Sequence, residues 1–352
     1  MITIRLISRR SLGLFLWSSF CLFALVARGI YAQSQSAFPN REGAAIQYRS
    51  PISSVGQQEP QSIDAALAAD ETLVQSGHLA GAEKDVRTYL SKHANSADGH
   101  FLLGYVLYRE DKPTDSLAEY TLGASFRKPH AGDLAVVAMD YVLLRDYADA
   151  DKWLTKATVW QPENALYWYY LGRTKYNENH FHEAIEAFTK SLALHPRDVR
   201  AEYNLGLSYV GLGLNDAAET AYRNAIAWQQ NAEHQDPQPY LDLGILLAQQ
   251  GHGGQAISQL QRAAGLDPKN PRAHEELGRV DEQMHQLTSA QTELETAVSL
   301  APNVPGLHFE LGRIYQKEGM SVRAKSEFAR CAVLNGTHST DSAETPNLDF
   351  HN

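Results

Sequence analysis

A pair of residues that returns at a fixed interval constrains this chain more than any other feature. Leu103-Gly104, Leu171-Gly172, Leu205-Gly206, Leu243-Gly244, Leu277-Gly278 and Leu311-Gly312 recur, Val137-Ala138 fills the gap after the first, and the successive spacings are 34, 34, 34, 38, 34 and 34 residues. Twelve places after each Gly or Ala stands a second small residue: Ser116, Ala150, Ala184, Ala218, Ala256, Ala290 and Ala324. Four places on comes a large one, Tyr120, Leu154, Phe188, Tyr222, Leu260, Leu294 and Phe328. Three further on, Gly123, Ala157, Ser191, Ala225, Ala263, Ala297 and Cys331 are small or compact again. Pro162, Pro196, Pro268 and Pro302 close four of the blocks.

Two helices per block account for this pattern. A missing side chain after the leucine lets two helix backbones approach closely. Ala184, Phe188 and Ser191 fall at i, i+4 and i+7, one face of a second helix. Proline ends that helix or opens the next, where its absent N–H matters little. A hairpin this small cannot bury its apolar face alone, so neighbouring hairpins must stack into one continuous core.

Blocks built in this way resemble the tetratricopeptide repeat, a helix-turn-helix unit of about 34 residues. The resemblance implies an all-α fold, a right-handed superhelical solenoid of antiparallel helix hairpins. Seven clear repeats run over 97–338, and a degenerate N-terminal repeat is read at 63–96, where Ala82 and Val86 keep register but Ala69-Asp70 replaces the Leu-Gly pair. Four extra residues precede Pro237, close to one helical turn, so an extended second helix is expected there. The polar stretch from Gly336 reads as the start of a tail, disordered over 339–352, which leaves an apolar flank near Phe328 and Val333 without an amphipathic cover.

Ahead of the repeats the chain changes character. Arg5, Arg9 and Arg10 precede the apolar run LGLFLWSSFCLFALVA, and Arg28 and GIYAQSQSA follow it. This order of charge, apolar core and cleavage region predicts a secretory signal over 1–32, with an uncleaved anchor as the alternative. SRRSL at 8–12 has the outline of a twin-arginine signal, and general-secretory and twin-arginine export both stay open. Residues 33–62, rich in Ser, Gln, Pro and Gly, read as a flexible leader. A periplasmic or secreted location is therefore expected, or a membrane-anchored one facing the exported side. Cleavage would leave Cys331 as the single cysteine, in a slot read as buried, so no internal disulfide can form.

The formal net charge of -10 gives no general attraction to nucleic acid or to anionic lipid. Nucleic acid is not expected as a partner, and the membrane only through the N-terminal segment. No nucleophile elbow, HExxH, P-loop or dinucleotide fingerprint occurs. His180, His182 and Glu183, and Glu282 with His285, lack the further ligands that a metal would need. No enzyme activity, cofactor or metal is expected.

In the repeat family the first helices line an inner groove, which implies protein or peptide as partner. Carried over where the frame matches, the lining takes in Phe101, Tyr105, Tyr108, Val136, Met139, Tyr169, Arg173, Tyr176, Asn177, Arg200, Tyr203 and Asn204. Beyond them Asp242, Arg272, Glu275, Glu276, Arg279, Phe309, Glu310 and Arg313 make it more charged. Tyrosine offers rigid apolar area and a hydroxyl, and arginine a fork for carboxylates. Trp168 is read as core, and the direction of Tyr170 depends on helix rotation. Some family members grip a chaperone's terminal carboxylate with lysines, but Phe101, Tyr169 and Tyr203 stand in those places. The expected function is an exported protein- or peptide-binding scaffold in an envelope or extracellular assembly. Self-association into a structural solenoid and polysaccharide handling are the alternatives.

Overall fold

The computed structural model describes residues 65–341, with side chains over 67–336. The signal at 1–32, the leader at 33–62 and most of the tail at 339–352 lie outside the described residues. The described residues form sixteen helices and no strand. They are α1 (Ala65–Gln75), α2 (Leu79–Leu90), α3 (Ala97–Arg109), α4 (Pro113–Phe126), α5 (Ala131–Leu143), α6 (Tyr147–Trp160), α7 (Ala165–Asn177) and α8 (Phe181–Leu194). Then come α9 (Val199–Gly211), α10 (Asn215–Gln229), α11 (Gln238–Gln249), α12 (Gly253–Leu266), α13 (Pro271–Gln283), α14 (Leu287–Leu300), α15 (Pro305–Lys317) and α16 (Ser321–Asp341). Consecutive helices pair as hairpins, and two compact units meet in sequence between Trp160 and Gln161, the first holding α1–α6 and the second α7–α16.

The sixteen-residue step from small to large is a direct contact. A Cβ on Gly104, Gly172, Gly206, Gly244, Gly278 or Gly312 would come within 2.6 to 2.8 Å of Tyr120, Phe188, Tyr222, Leu260, Leu294 or Phe328 respectively. Each large side chain therefore lies across the bare backbone of the first helix in its own hairpin. Ala150, Ala184, Ala218, Ala256 and Ala290 are fully buried beside these crossings. Apolar area removed from water at such contacts contributes about 25 cal/mol per Å² and supplies most of the stability of a stacked hairpin.

The turns inside the hairpins repeat as strictly as the core. Gly77, Asp111, Arg145, Asn179, Gly213, Gly251, His285 and Gly319 all have positive φ, between 60° and 82°. They stand 34 residues apart, or 38 across the insertion, and Gly77 brings α1 and α2 into the same register. First helices are capped where Ser96, Asn164, Asp198 and Asn270 accept backbone N–H groups, and Pro113, Pro271 and Pro305 open helices.

Three expectations need correction. The four extra residues do not build a helical turn: α10 has 15 residues against 14 in α8 and α12, and the extra length lies in the connection to α11. Gln229 holds that connection, its Nε2 donating to the Asp236 carbonyl at 2.9 Å and its Oε1 accepting from Asp236 N at 2.8 Å. Second, helix α16 continues to Asp341 for 21 residues, through the stretch read as the start of the tail. Third, Cys331 is only half-buried, whereas Ala297 in the equivalent slot of the preceding hairpin is fully buried. Val333 is 57% exposed on the same helix.

Candidate functional site

In the second unit, α7 and α9 bring together most of the aromatic residues that the sequence singled out. Tyr169 is 2% exposed and therefore core, not lining. Its ring packs on Phe188 and Tyr170 at centroid distances of 6.0 and 5.5 Å, and the Arg200 guanidinium covers it at 5.1 Å. Arg173, 3% exposed, lies 5.9 Å from the same ring and is likewise withdrawn from solvent. Tyr170 is buried as well. The residues of this face that stay half-exposed are Tyr176, Asn177, Arg200 and Tyr203.

Each of these is constrained. Tyr203 donates its hydroxyl to Asp242 Oδ2 at 2.6 Å, tying α9 to α11. Burial, and then the facing Asp242 carboxylate, raises the Tyr203 phenol well above its ordinary range, so it remains a neutral donor. Tyr176 is raised for the same two reasons, and its ring meets Phe181 edge-on at 5.6 Å. Arg200 is anchored to Asp198 at 3.2 Å as well as to Tyr169. Asn204 is buried, its Nδ2 turned back onto the Arg200 carbonyl at 2.7 Å, so it serves the helix instead of a ligand.

Toward α13 and α15 the face becomes ionic. Arg279 bridges Glu276 at 3.1 Å and Glu310 at 3.8 Å, while Arg313 and Lys317 both meet Glu282 at 2.7 Å. Burial, followed by the neighbouring Glu275 carboxylate, lifts Glu310 to about 7 against the opposing pull of Arg279. Phe309 is 49% exposed beside it. Asp242, by contrast, is buried.

The first unit contributes less than the sequence implied. Phe101 is completely buried, because its ring fills the space left by Gly123, where a Cβ would stand 2.7 Å away. It stacks on Tyr120 at 5.8 Å beneath Arg127 at 5.0 Å. Tyr105, Val136 and Met139 are buried too. Tyr108 is half-buried and stacks on Tyr105 at 6.3 Å.

Trp168 corrects another expectation. It is a half-exposed clamp, its indole N–H donating to the Pro162 carbonyl at 2.7 Å with Lys190 over the ring at 4.5 Å. Histidine occupies the same repeat slot three times. The Nδ1 atoms of His100, His274 and His308 lie 2.6 to 2.7 Å from Glu119, Glu293 and Glu327, and each Nε2 faces the carbonyl six residues back. The signal for these clamps was in the sequence, as His followed by Glu nineteen positions on. Among the described residues no group of three His, Cys, Asp or Glu side chains could hold a metal ion, and Glu183 pairs with Lys175 at 2.6 Å.

Comparison with known proteins agrees with this geometry. Family profiles described as tetratricopeptide repeat match residues 169–233 and 247–308, both within the second unit. Those two stretches are similar to the tetratricopeptide repeat. Two curated proteins named peroxisomal targeting signal receptor are similar over one stretch. That of Candida albicans is 43% identical over 60 residues, 17% of this chain and 10% of the relative. That of Kluyveromyces lactis is 38% identical over 69 residues, 20% of this chain and 12% of the relative. The matched stretch thus spans about a tenth of those proteins. Among solved structures, the C-terminal part of a TPR repeat-containing protein from Cytophaga hutchinsonii aligns with a TM-score of 0.56 at 16% identity, covering 70% of this chain and 99% of that one. Pseudomonas aeruginosa PilF aligns with a TM-score of 0.52 at 18% identity, covering 63% and 97%. At these identities the likeness concerns the repeat fold. Among the described residues no helix is long and apolar enough to cross a membrane.

Proposed function

We propose that the chain is an exported scaffold that binds protein or peptide on the face shared by α7, α9 and α11. The observation that carries this reading is a set of half-exposed polar side chains already fixed at one end. Tyr203 is held by Asp242, and Arg200 by Asp198 and the Tyr169 ring. Side chains ordered before binding avoid an entropic penalty of about 0.5–1.5 kcal/mol each on association. Aromatic rings with hydroxyls and a guanidinium beside them suit a peptide backbone and its acidic or aromatic side chains. The repeat profile over 169–233 covers the α7 and α9 part of this face. Export rests on the charge and apolar order of residues 1–32.

Panning the full chain against a random-peptide phage library tests the reading. Enriched peptides should lose affinity for a Tyr176→Ala, Asn177→Ala, Arg200→Ala variant that keeps its helicity and unfolding cooperativity. Equal binding to that variant would place the ligand elsewhere. N-terminal sequencing of the product from its native source checks the export signal, with a start near Gln33 as the expected result.

A further inference from the structure

Two departures from the repeat pattern meet in the first unit. The small slot that holds alanine at 150, 184, 218, 256, 290 and 324 holds Ser116 instead. The slot two places after the bare crossing residue, filled by Val106, Thr174, Ser208, Leu246, Val280 and Ile314 in the other clear repeats, holds Asp140. Ser116 lies on α4 and Asp140 on α5, and both are 0% exposed. Ser116 Oγ is 2.8 Å from the Gly104 carbonyl of α3 and 2.6 Å from Asp140 Oδ2. These two exceptions are therefore partners across the packing of one hairpin on the next.

Counting protons fixes the state of the pair. A serine hydroxyl carries a single hydrogen and a carbonyl can only accept. Both short contacts are satisfied only if Ser116 donates to Gly104 and Asp140 carries the proton that it donates to Ser116. Asp140 Oδ1 is buried and has no hydrogen-bond partner, so an ionised carboxylate would have at most one donor. From α4 the Ser116 hydroxyl faces the carboxyl, itself set against the Gly104 carbonyl of α3; among the described residues no cationic or titratable side chain of α3, α4 or α6 pairs with Asp140. Burial raises this carboxyl to about 8.

We propose that Asp140 and Ser116 form a pH-sensitive latch, a neutral carboxyl that holds α5 against the α3/α4 hairpin and releases it on ionisation. The helices it joins carry Tyr105, Tyr108 and Met139, so release alters the aromatic packing of the first unit. The direction follows from linkage. With the folded value above the ordinary 3.8, the latch contributes fully below that value. Its contribution to the folding equilibrium then falls about tenfold per pH unit and is exhausted above the folded value of about 8.

The test uses the full chain, its Asp140→Asn variant and its Ser116→Ala variant. Infrared spectra near neutral pH should show a protonated-carboxyl band that disappears in D140N and is lost at lower pH in S116A, which removes the acceptor of that proton. Urea midpoints should fall with rising pH more steeply in the wild type than in D140N, and hydrogen exchange of α3–α5, corrected for its intrinsic pH dependence, should accelerate on ionisation in the wild type alone. Should D140N fail to fold, the comparison of the wild-type band with S116A decides. A wild type lacking the band near neutral pH, or a band that S116A leaves unmoved, overturns the latch, as does identical pH dependence in wild type and D140N.

Discussion

Replacing Gly172 by alanine isolates the contact on which the whole repeat pattern depends. The new Cβ would stand 2.7, 2.8 and 3.0 Å from Cε1, Cδ1 and Cγ of Phe188. Carbon atoms rest at about 3.5–4.0 Å, so the ring must retreat by about 1 Å. Phe188 is completely buried against Tyr169 and has nowhere to swing. Overpacking of this kind costs about 1–3 kcal/mol, whereas glycine to alanine within a helix gains about 1 kcal/mol. G172A should thus lose up to about 2 kcal/mol. Gly265, also helical and in the same unit, has nothing within 4 Å of its prospective Cβ. G265A should gain close to the full propensity term. Urea unfolding followed by far-UV circular dichroism, with hydrogen exchange of α7 to localise the effect, separates the two. A G172A protein as stable as G265A would refute the close-approach account of the Leu-Gly pairs.

Further expectations follow from single side chains. Arg145 and His285 hold the left-handed turn position that glycine fills in four other hairpins, so R145G and H285G should each stabilise by about 0.5–1 kcal/mol in denaturant titrations. Tyr203→Phe removes a hydroxyl donor from buried Asp242 and should cost about 1–3 kcal/mol, less in a D242N background, as a double-mutant cycle would show. Glu310 sits at about 7 against an ordinary 4.5, so its contribution to stability is lost as pH rises through that window, a penalty on the order of 3 kcal/mol at most. Glu310→Gln should flatten that part of the pH profile, and an unchanged profile would count against carboxylate crowding as its cause.

The fold was legible because one physical requirement, close backbone approach, is met by a glycine or alanine at the same position in seven of the eight described hairpins. Even the turn positions were readable in principle, since Gly77, Gly213, Gly251 and Gly319 share the register of the core. The inserted residues before Pro237 were misread for a definable reason. Their number matches a helical turn, but Gln229 captures both the N–H and the carbonyl of Asp236 and closes a loop instead. Periodicity counts residues along an axis and cannot see a side chain that replaces the backbone ladder.

The candidate site was legible only as a set of positions, because the frame says which helix face a residue occupies and not how deep it lies. Depth depends on what stands opposite. Phe101 is buried because Gly123 leaves room for its ring, and Tyr169 because Arg200 folds over it from the next repeat. Tyr203 keeps partial exposure because its hydroxyl is drawn toward Asp242, two helices on. The same reasoning explains why Ser116 and Asp140 looked unremarkable singly: 24 residues apart, each is a mild exception, and only their meeting makes a buried acid that must keep its proton. In a repeat protein the scaffold is written within each period, whereas chemistry is written in departures that face one another across the boundary between periods.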